Sequence, residues 1–118
     1  MAKFRFEDLE IWKMAIAIAN ELFDVADRLE EKHLYRFAEQ LRGAGMSMSN
    51  NIAEGSGSVS KNEFFQFLNI ARRSTFENAN ILILLKMRSL VSETEVSKVM
   101  DELDHLCRKI TRFQQSLK

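Results

Sequence analysis

The sequence predicts an all-α protein: an antiparallel up-down-up-down four-helix bundle, folded as one domain over residues 1–118. The chain has no proline and only four glycines, so little in it interrupts long helices. Apolar residues recur every three or four positions in four long segments, which is the helical period. The predicted connections, at about 29–33, 55–59 and 89–92, are short, and short links favour antiparallel neighbours.

Helix 1 is predicted from Asp8 to Leu29 and carries two apolar stripes side by side. The first stripe comprises Leu9, Trp12, Ile16, Ala19, Phe23 and Ala26. The second stripe comprises Ile11, Met14, Ala15, Ile18, Leu22 and Val25. Together they cover more than half of the helix circumference, whereas an outer helix of a monomeric bundle needs an apolar arc of only about 100° or somewhat more.

Helix 2 is predicted from Leu34 to Glu54, and the Gly-Ser-rich run 55–59 ends it. Its core stripe comprises Leu34, Phe37, Leu41, Ala44, Met48 and Ile52. Gly43 and Gly45 interrupt this helix, and each costs about 1 kcal/mol relative to alanine. A helix tolerates such residues more easily where another backbone comes close, so close packing is expected there.

Helices 3 and 4 each begin at a capping box, Ser60 with Glu63 and Ser92 with Glu95. Helix 3 runs to about Arg88 and is apolar in nearly every direction, through Phe64, Phe65, Phe67, Leu68, Ile70, Phe76, Ile81, Leu82, Ile83 and Leu84. Helix 4 has a narrow seam instead, formed by Val96, Val99, Leu103, Leu106, Ile110, Phe113 and Leu117.

The excess apolar surface of helices 1 and 3 predicts self-association. Left in water, it would form a larger patch than monomers usually expose. We therefore expect a homo-oligomer whose interface uses the second stripe of helix 1 and part of helix 3. The alternative is a monomer in which long lysine and arginine side chains cover this surface.

The charge balance and the hydropathy of the chain bear on whether it binds nucleic acid or enters a membrane. Lys plus Arg and Asp plus Glu are 17 each, and a net charge of zero argues against strong attraction of the whole chain to nucleic acid. The balance is uneven, with 4 basic and 8 acidic residues in 1–31 but 8 basic and 4 acidic in 32–90. No apolar run reaches the ~20 residues of a membrane span, and the N-terminus does not look like a signal peptide, so a cytoplasmic location is expected.

Residues for catalysis or metal binding are few. His105 lies one helical turn after Asp101, but no second pair completes the three or four ligands that a metal needs. Cys107 and His105 are two apart on a helix and face apart, which disfavours a nucleophilic pair. His33 falls in the first connection. The sequence therefore predicts no enzyme, no cofactor and no metal site.

Polar side chains flank the core stripe of helix 2 at helical spacing, namely Gln40, Ser47, Asn51 and Glu54. On helix 3, Ser74, Glu77 and Asn78 lie beside the core-facing rows. This set is interpreted either as a hydrogen-bond network between the helices or as a recognition surface on the same residues.

The run from Gln40 to Gly55, QLRGAGMSMSNNIAEG, resembles the signature of a bacterial family of four-helix-bundle proteins, first noticed as open reading frames in intervening sequences of 23S ribosomal RNA genes. A second family segment is matched by Glu63, Phe64, Phe67, Leu68, Ile70, Ala71, Ser74 and Glu77. The family's entry motif is matched by Phe6, Asp8, Leu9 and Trp12. The sequence departs from the pattern at Met48, Ser49 and Asn78, where isoleucine, proline and leucine are usual.

This resemblance implies an up-down bundle assembled as a homopentamer. Similar pentameric bundles serve diversity-generating retroelements as accessory proteins, where a basic surface engages nucleic acid and a reverse transcriptase. If RNA or DNA binds here, the candidate contacts are Arg36, Arg42, Lys61, Arg72 and Arg73, repeated around a ring. The leading interpretation is a non-enzymatic homo-oligomeric interaction module that binds nucleic acid. The alternative is a structural adaptor for a protein partner, without nucleic-acid binding.

Overall fold

A computed structural model describes residues 1–118 and has four α-helices after a short 3-10 helix. The 3-10 helix spans Arg5–Asp8, and the α-helices are α1 (Glu10–Glu31), α2 (Tyr35–Ser56), α3 (Lys61–Met87) and α4 (Glu93–Ser116). The predicted all-α four-helix bundle is confirmed. None of the helices combines the length and the apolar character that a membrane-spanning segment requires.

The helices form a square in which each packs on the two helices next to it along the ring α1–α2–α3–α4. The diagonal pairs, α1 with α3 and α2 with α4, do not come close. Neighbours are antiparallel, since Ser47 of α2 bonds Ser74 of α3 while Ala44, earlier on α2, bonds Asn78, later on α3. The contact between α1 and α4 is the least extensive, and ion pairs such as Arg28–Glu95 line it.

The core is one cluster of 22 buried residues drawn from all four helices. Helix α1 contributes most of the stripe that was predicted as an interface, including Ile18, Leu22 and Val25, each at most 2% exposed. That part of the prediction is wrong. Because α1 packs between α2 and α4, it needs apolar residues over a wider arc than a single contact would require. The excess surface of α1 is thus used inside the bundle.

The predicted helix starts at Ser60 and Ser92 are confirmed. Each serine hydroxyl accepts a hydrogen bond from the backbone N–H three residues later, with an oxygen–nitrogen distance of 3.1 Å at both sites. The reciprocal bond of the capping box, from the serine N–H to the glutamate side chain, is formed at neither site, and at α4 the Glu95 carboxylate instead accepts two bonds from Arg28. Helix α1 begins two residues later than predicted, since Arg5–Asp8 forms the 3-10 helix.

Just beyond the ends of α1 and α3, a residue other than glycine adopts the left-handed backbone conformation. His33 has φ 63° and Ser89 has φ 60°. In each case the residue after the left-handed one donates its N–H back to the helix, Leu34 to the Leu29 carbonyl and Leu90 to the Leu85 carbonyl. This is the Schellman arrangement, where glycine is the usual left-handed residue because a Cβ atom is unfavourable there.

We expect Ser89→Gly to raise the free energy of unfolding by about 0.5–1 kcal/mol, because glycine relieves the left-handed strain. Ser89 is exposed, so the substitution removes no packing. Urea unfolding followed by circular dichroism measures the effect. Ser89→Ala is the matched control, since it removes the hydroxyl but keeps the Cβ atom, and it should give no gain. An equal gain in both variants would contradict this explanation.

Candidate interaction surfaces

Exposed large apolar side chains are unevenly distributed over the bundle. Helix α3 carries five of them, and α2 carries Tyr35 and Met46, whereas α1 and α4 carry none. The five on α3 are Ile70, Phe76, Ile83, Leu84 and Met87. The expectation that α3 exposes more apolar surface than one chain covers is thus met.

Three of these residues, Phe76, Ile83 and Met87, lie in a row along α3. We call this row, together with Arg72 and Arg73 at one end of it, the α3 stripe. Phe76, Ile83 and Met87 are spaced by seven and four, so they share one side of the helix. Phe76 is 62% exposed and Met87 is 74% exposed. The Arg72 guanidinium lies over the Phe76 ring, with its central carbon 5.6 Å from the ring centroid, and its Nε donates to the Thr111 hydroxyl at 2.9 Å.

A cavity of about 160 Å³ lies beside the stripe, between α3 and α4. Its lining is mostly apolar and comprises Thr75, Phe76, Ala79, Met100, Leu103, Asp104 and Cys107. Cys107 is half-buried there, whereas His105 points to solvent from a different side of α4. The two side chains are not brought together. No group of three or more His, Cys, Asp or Glu side chains lies close enough to hold a metal ion.

The polar set between α2 and α3 is only partly assembled. The Ser47 and Ser74 hydroxyls are 2.8 Å apart, and Asn51 donates to the Ser47 carbonyl at 2.7 Å. Ser74 also donates to the Ile70 carbonyl at 3.0 Å. Three other predicted members, Gln40, Glu54 and Glu77, are exposed and make no side-chain hydrogen bond or ion pair. The structure therefore supports the network interpretation for Ser47, Ser74, Asn51 and Asn78, but not for the three exposed residues.

Asn78 is more deeply buried than its predicted position beside the core-facing rows suggests. It is fully buried, and its amide nitrogen donates to the carbonyls of Ala44 and Ser74, both at 2.8 Å. Its side-chain oxygen is buried without a partner. The sequence places Asn78 in a possible hydrogen-bond network between the helices, but it does not show that its partner on α2 is a backbone carbonyl.

The five candidate basic residues do not form one surface. The Arg42 guanidinium lies 2.7 Å from the Asp27 carboxylate and 3.3 Å from the Glu30 carboxylate, both on α1. The hydrogen bond to Asp27, and to a lesser extent the one to Glu30, raises the pKa of Arg42 above its ordinary value. Arg72 faces α4 through its bond to Thr111.

The other three candidates, Arg36, Lys61 and Arg73, are exposed and have no carboxylate partner. Arg36 lies in the first turn of α2 and Lys61 in the first turn of α3, which are opposite ends of the bundle because the two helices are antiparallel. A single protomer therefore presents separate cations rather than a continuous basic track.

Comparison with known proteins decides the family. A family model described as 23S rRNA-intervening sequence protein matches residues 7–112, which is nearly the whole chain. The chain belongs to that family. The signature run in α2 and the matching segment of α3 lie inside the matched region, as do all residues of the entry motif except Phe6. The resemblance to retroelement accessory proteins is not addressed by this match and stays a prediction.

A solved structure supports the fold of this intervening-sequence family member. It is described as a protein with unknown function from the S23 ribosomal protein family of Bacteroides thetaiotaomicron VPI-5482. It superposes with a TM-score of 0.83 at 18% sequence identity, covering 88% of this chain and 97% of that one. At this identity the similarity shows the fold alone. No curated protein matches the chain.

Proposed function

We propose that this family member is a non-enzymatic module that assembles with copies of itself through the outer side of α3. The observation that carries the proposal is the α3 stripe, whose Phe76, Ile83 and Met87 side chains are exposed in a row. An unpartnered apolar row of this kind on a protein's surface is typical of an interface. Five copies is the number that the family resemblance implies.

The lack of an assembled nucleophile and base supports the non-enzymatic part of the proposal. Cys107 lines the α3–α4 cavity and His105 is exposed, with no hydrogen bond between them, so they do not form a nucleophile–base pair. The family model and the solved neighbour are named without an activity.

The combined change Ile83→Glu with Met87→Glu should weaken self-association by roughly 100-fold or more, since burying each apolar side chain contributes about 1.5–3 kcal/mol. Size-exclusion chromatography with light scattering, across a dilution series, measures the mass. The matched control is Ala17→Glu, which places the same charge on the exposed outer side of α1. An oligomer that is equally stable in both variants would overturn the proposal. A wild-type chain that is monomeric throughout would favour the adaptor alternative.

Nucleic-acid binding is a second candidate, favoured by the three exposed cations that have no carboxylate partner, Arg36, Lys61 and Arg73. One copy offers few phosphate contacts, but several copies would repeat them, and weak contacts add through avidity. RNA is the first ligand to test because the family is described by a 23S rRNA intervening sequence.

Binding of a labelled RNA should fall steeply with salt, and Arg36→Ala with Arg73→Ala should flatten that dependence. Lys13→Ala on the outer side of α1 is the control and should leave the salt dependence unchanged. Fluorescence anisotropy over a salt series makes the comparison. Absence of binding at low salt would rule this candidate out while leaving the self-association proposal untouched.

A further inference from the structure

We propose that the α3–α4 cavity is a binding site for a small carboxylate whose apolar body is about the size of one aromatic ring. The ring occupies the cavity, and the carboxylate binds the Arg72 guanidinium at one end of it. The inference goes beyond the proposed self-association, because the cavity is formed by two helices of one protomer. It requires neither a second copy nor nucleic acid.

The cavity has the size and the walls that an apolar ring needs. Its volume is about 160 Å³ and its lining is mostly apolar. The inner wall is formed by Thr75 and Leu103, which are 3% and 2% exposed, and the exposed Phe76 ring stands at the outside. An engineered apolar cavity of about 150 Å³ in another protein binds benzene. A single six-membered ring is therefore the body that fits.

Arg72 is held at one end of this cavity by two contacts. Its Nε donates to the Thr111 hydroxyl at 2.9 Å, and its guanidinium carbon lies 5.6 Å from the centroid of the Phe76 ring. Phe76 lines the cavity, and Thr111 lies one helical turn after Cys107, which also lines it. The two contacts therefore place the cation at the end of the cavity that Phe76 and Cys107 form.

No carboxylate of the protomer binds this cation. Arg72 is half-buried, it makes no ion pair, and neither of its Nη atoms donates a hydrogen bond. Asp104, the one carboxylate that lines the cavity, pairs instead with Arg108 at 2.9 Å and lies seven residues before Thr111, about 10 Å along α4. The planar guanidinium fork matches the two oxygens of a carboxylate. The chemistry of this end of the cavity therefore favours a carboxylate ligand.

The orientation of Arg72 is fixed before any ligand arrives. Thr111 accepts the bond from Arg72 and donates its own hydroxyl hydrogen to the Cys107 carbonyl at 3.1 Å. An arginine restrained in this way loses less side-chain freedom on binding than a fully solvated one, and such restraint increases affinity. Arg112, which is exposed on α4 and makes no hydrogen bond or ion pair, lacks this restraint and serves as the comparison.

Phenylacetate is a suitable probe because it joins one ring to one carboxylate. An NMR titration of the wild-type chain should show saturable binding with a Kd of about 1 mM or lower, as is reasonable for a ligand of this size. The largest shifts should fall on cavity residues such as Ala79 and Leu103. 2-Phenylethanol, which keeps the ring but has no charge, should bind about tenfold more weakly. Absence of saturable phenylacetate binding up to about 10 mM would overturn the proposal.

Two single variants separate the apolar part of the site from the charged part. Ala79→Leu fills the cavity and should abolish binding of both probes. Arg72→Met keeps a long apolar side chain without the guanidinium, so it should weaken phenylacetate about tenfold and leave 2-phenylethanol unchanged. Arg112→Met is the matched control and should affect neither probe. Circular dichroism checks the fold of each variant. Equal weakening by Arg72→Met and Arg112→Met would overturn the assignment of Arg72.

Cys107 provides a second readout in the wild-type chain, because it is the only cysteine of the sequence and it lines the cavity. Its reaction with a small thiol reagent should slow about tenfold when phenylacetate is present at about ten times its Kd, since only the unoccupied fraction reacts. A rate that does not change at this concentration would show that the probe binds elsewhere, and would overturn the proposal.

The combined variant Ile83→Glu with Met87→Glu distinguishes this inference from the proposed function. It keeps every lining residue of the cavity, so phenylacetate should bind it as tightly as it binds the wild type. Binding to this variant alone would show that a side chain of a second copy fills the cavity in the assembled protein, and would overturn the ligand site. A wild type that is monomeric and binds phenylacetate would contradict self-association and leave the ligand site standing.

Discussion

Gly55→Ala should destabilise the bundle by about 2–3 kcal/mol, although it adds only one methyl group. A Cβ atom at this position would lie 2.7 Å from the Cβ of Phe67 and 2.9 Å from the Cδ1 of Phe64. The Phe67 Cβ is fixed to the backbone of α3 and cannot rotate away, so the two helices must separate. Overpacking of this kind typically costs 1–3 kcal/mol. Chemical denaturation followed by circular dichroism measures the loss.

The chain provides two matched controls for this substitution. At Gly57 an added Cβ would meet only the Glu54 carbonyl oxygen, at 3.4 Å. At Gly43 it would meet nothing within 4 Å, so the close packing predicted there is wrong for Gly43, whereas at Gly45 it would meet Leu22 at 3.4 Å. Gly57→Ala should therefore be nearly neutral. Gly43→Ala should raise the free energy of unfolding of the protomer by about 1 kcal/mol through helix propensity. If all three alanines shifted stability alike, the close approach of α2 and α3 at Gly55 would not be the cause.

Asn78→Asp should cost about 3 kcal/mol or more near neutral pH. The asparagine amide donates to two carbonyls, and a carboxylate in its place would face those oxygens without a proton, in a site with no solvent exposure. A buried charge without a partner is among the most destabilising single changes. Thermal unfolding at pH 7 should show a clear drop in Tm.

The same variant should depend on pH in a predictable direction. Burial raises the pKa of the introduced carboxyl above the value of about 3.9 that it has in the unfolded chain. The folded state then binds the proton more tightly, so the variant is most stable, relative to the wild type, below pH ~4. That relative stability falls as the pH rises and levels off above the folded-state pKa. A difference from the wild type that is the same at pH 4 and pH 7 would contradict the assignment of Asn78 to a dry site.

Asn78→Leu is the control that separates lost hydrogen bonds from buried charge. The Ala44 and Ser74 carbonyls lie inside helices, where backbone N–H groups also bond them, so removing the amide leaves no carbonyl unpaired. The substitution also removes the side-chain oxygen that has no partner. Its cost should be small, or stability should rise, because replacing an incompletely bonded polar group by an apolar one of similar shape is tolerated.

The helices themselves were predictable because their apolar residues follow the helical period and because Ser60 and Ser92 carry a local start signal. The ends were less predictable. The glycine-rich run predicts that helix 2 ends at Glu54, yet α2 continues through Gly55 to Ser56. Local sequence cannot distinguish a glycine that breaks a helix from one that admits the side chains of Phe64 and Phe67.

The surfaces were harder to predict, since periodicity reports how wide an apolar arc is but not which neighbours cover it. On α1 the wide arc is used by α2 and α4, and Leu22 and Val25 are buried. On α3 a similarly wide arc leaves Phe76 and Met87 in solvent. The polar set shows the same limit, because spacing placed Ser47 and Glu54 on one strip but could not tell that only Ser47 would find a partner across the helix contact.

The mass of the wild-type chain in solution tests the central claim most directly. Sedimentation equilibrium at micromolar concentration should give a defined multiple of the 13.7 kDa chain, and the resemblance to the family predicts five copies. The α3 stripe should then be protected from solvent, as side-chain labelling of Met87 would report. A single species at the mass of one chain, with the stripe fully accessible, would contradict the account.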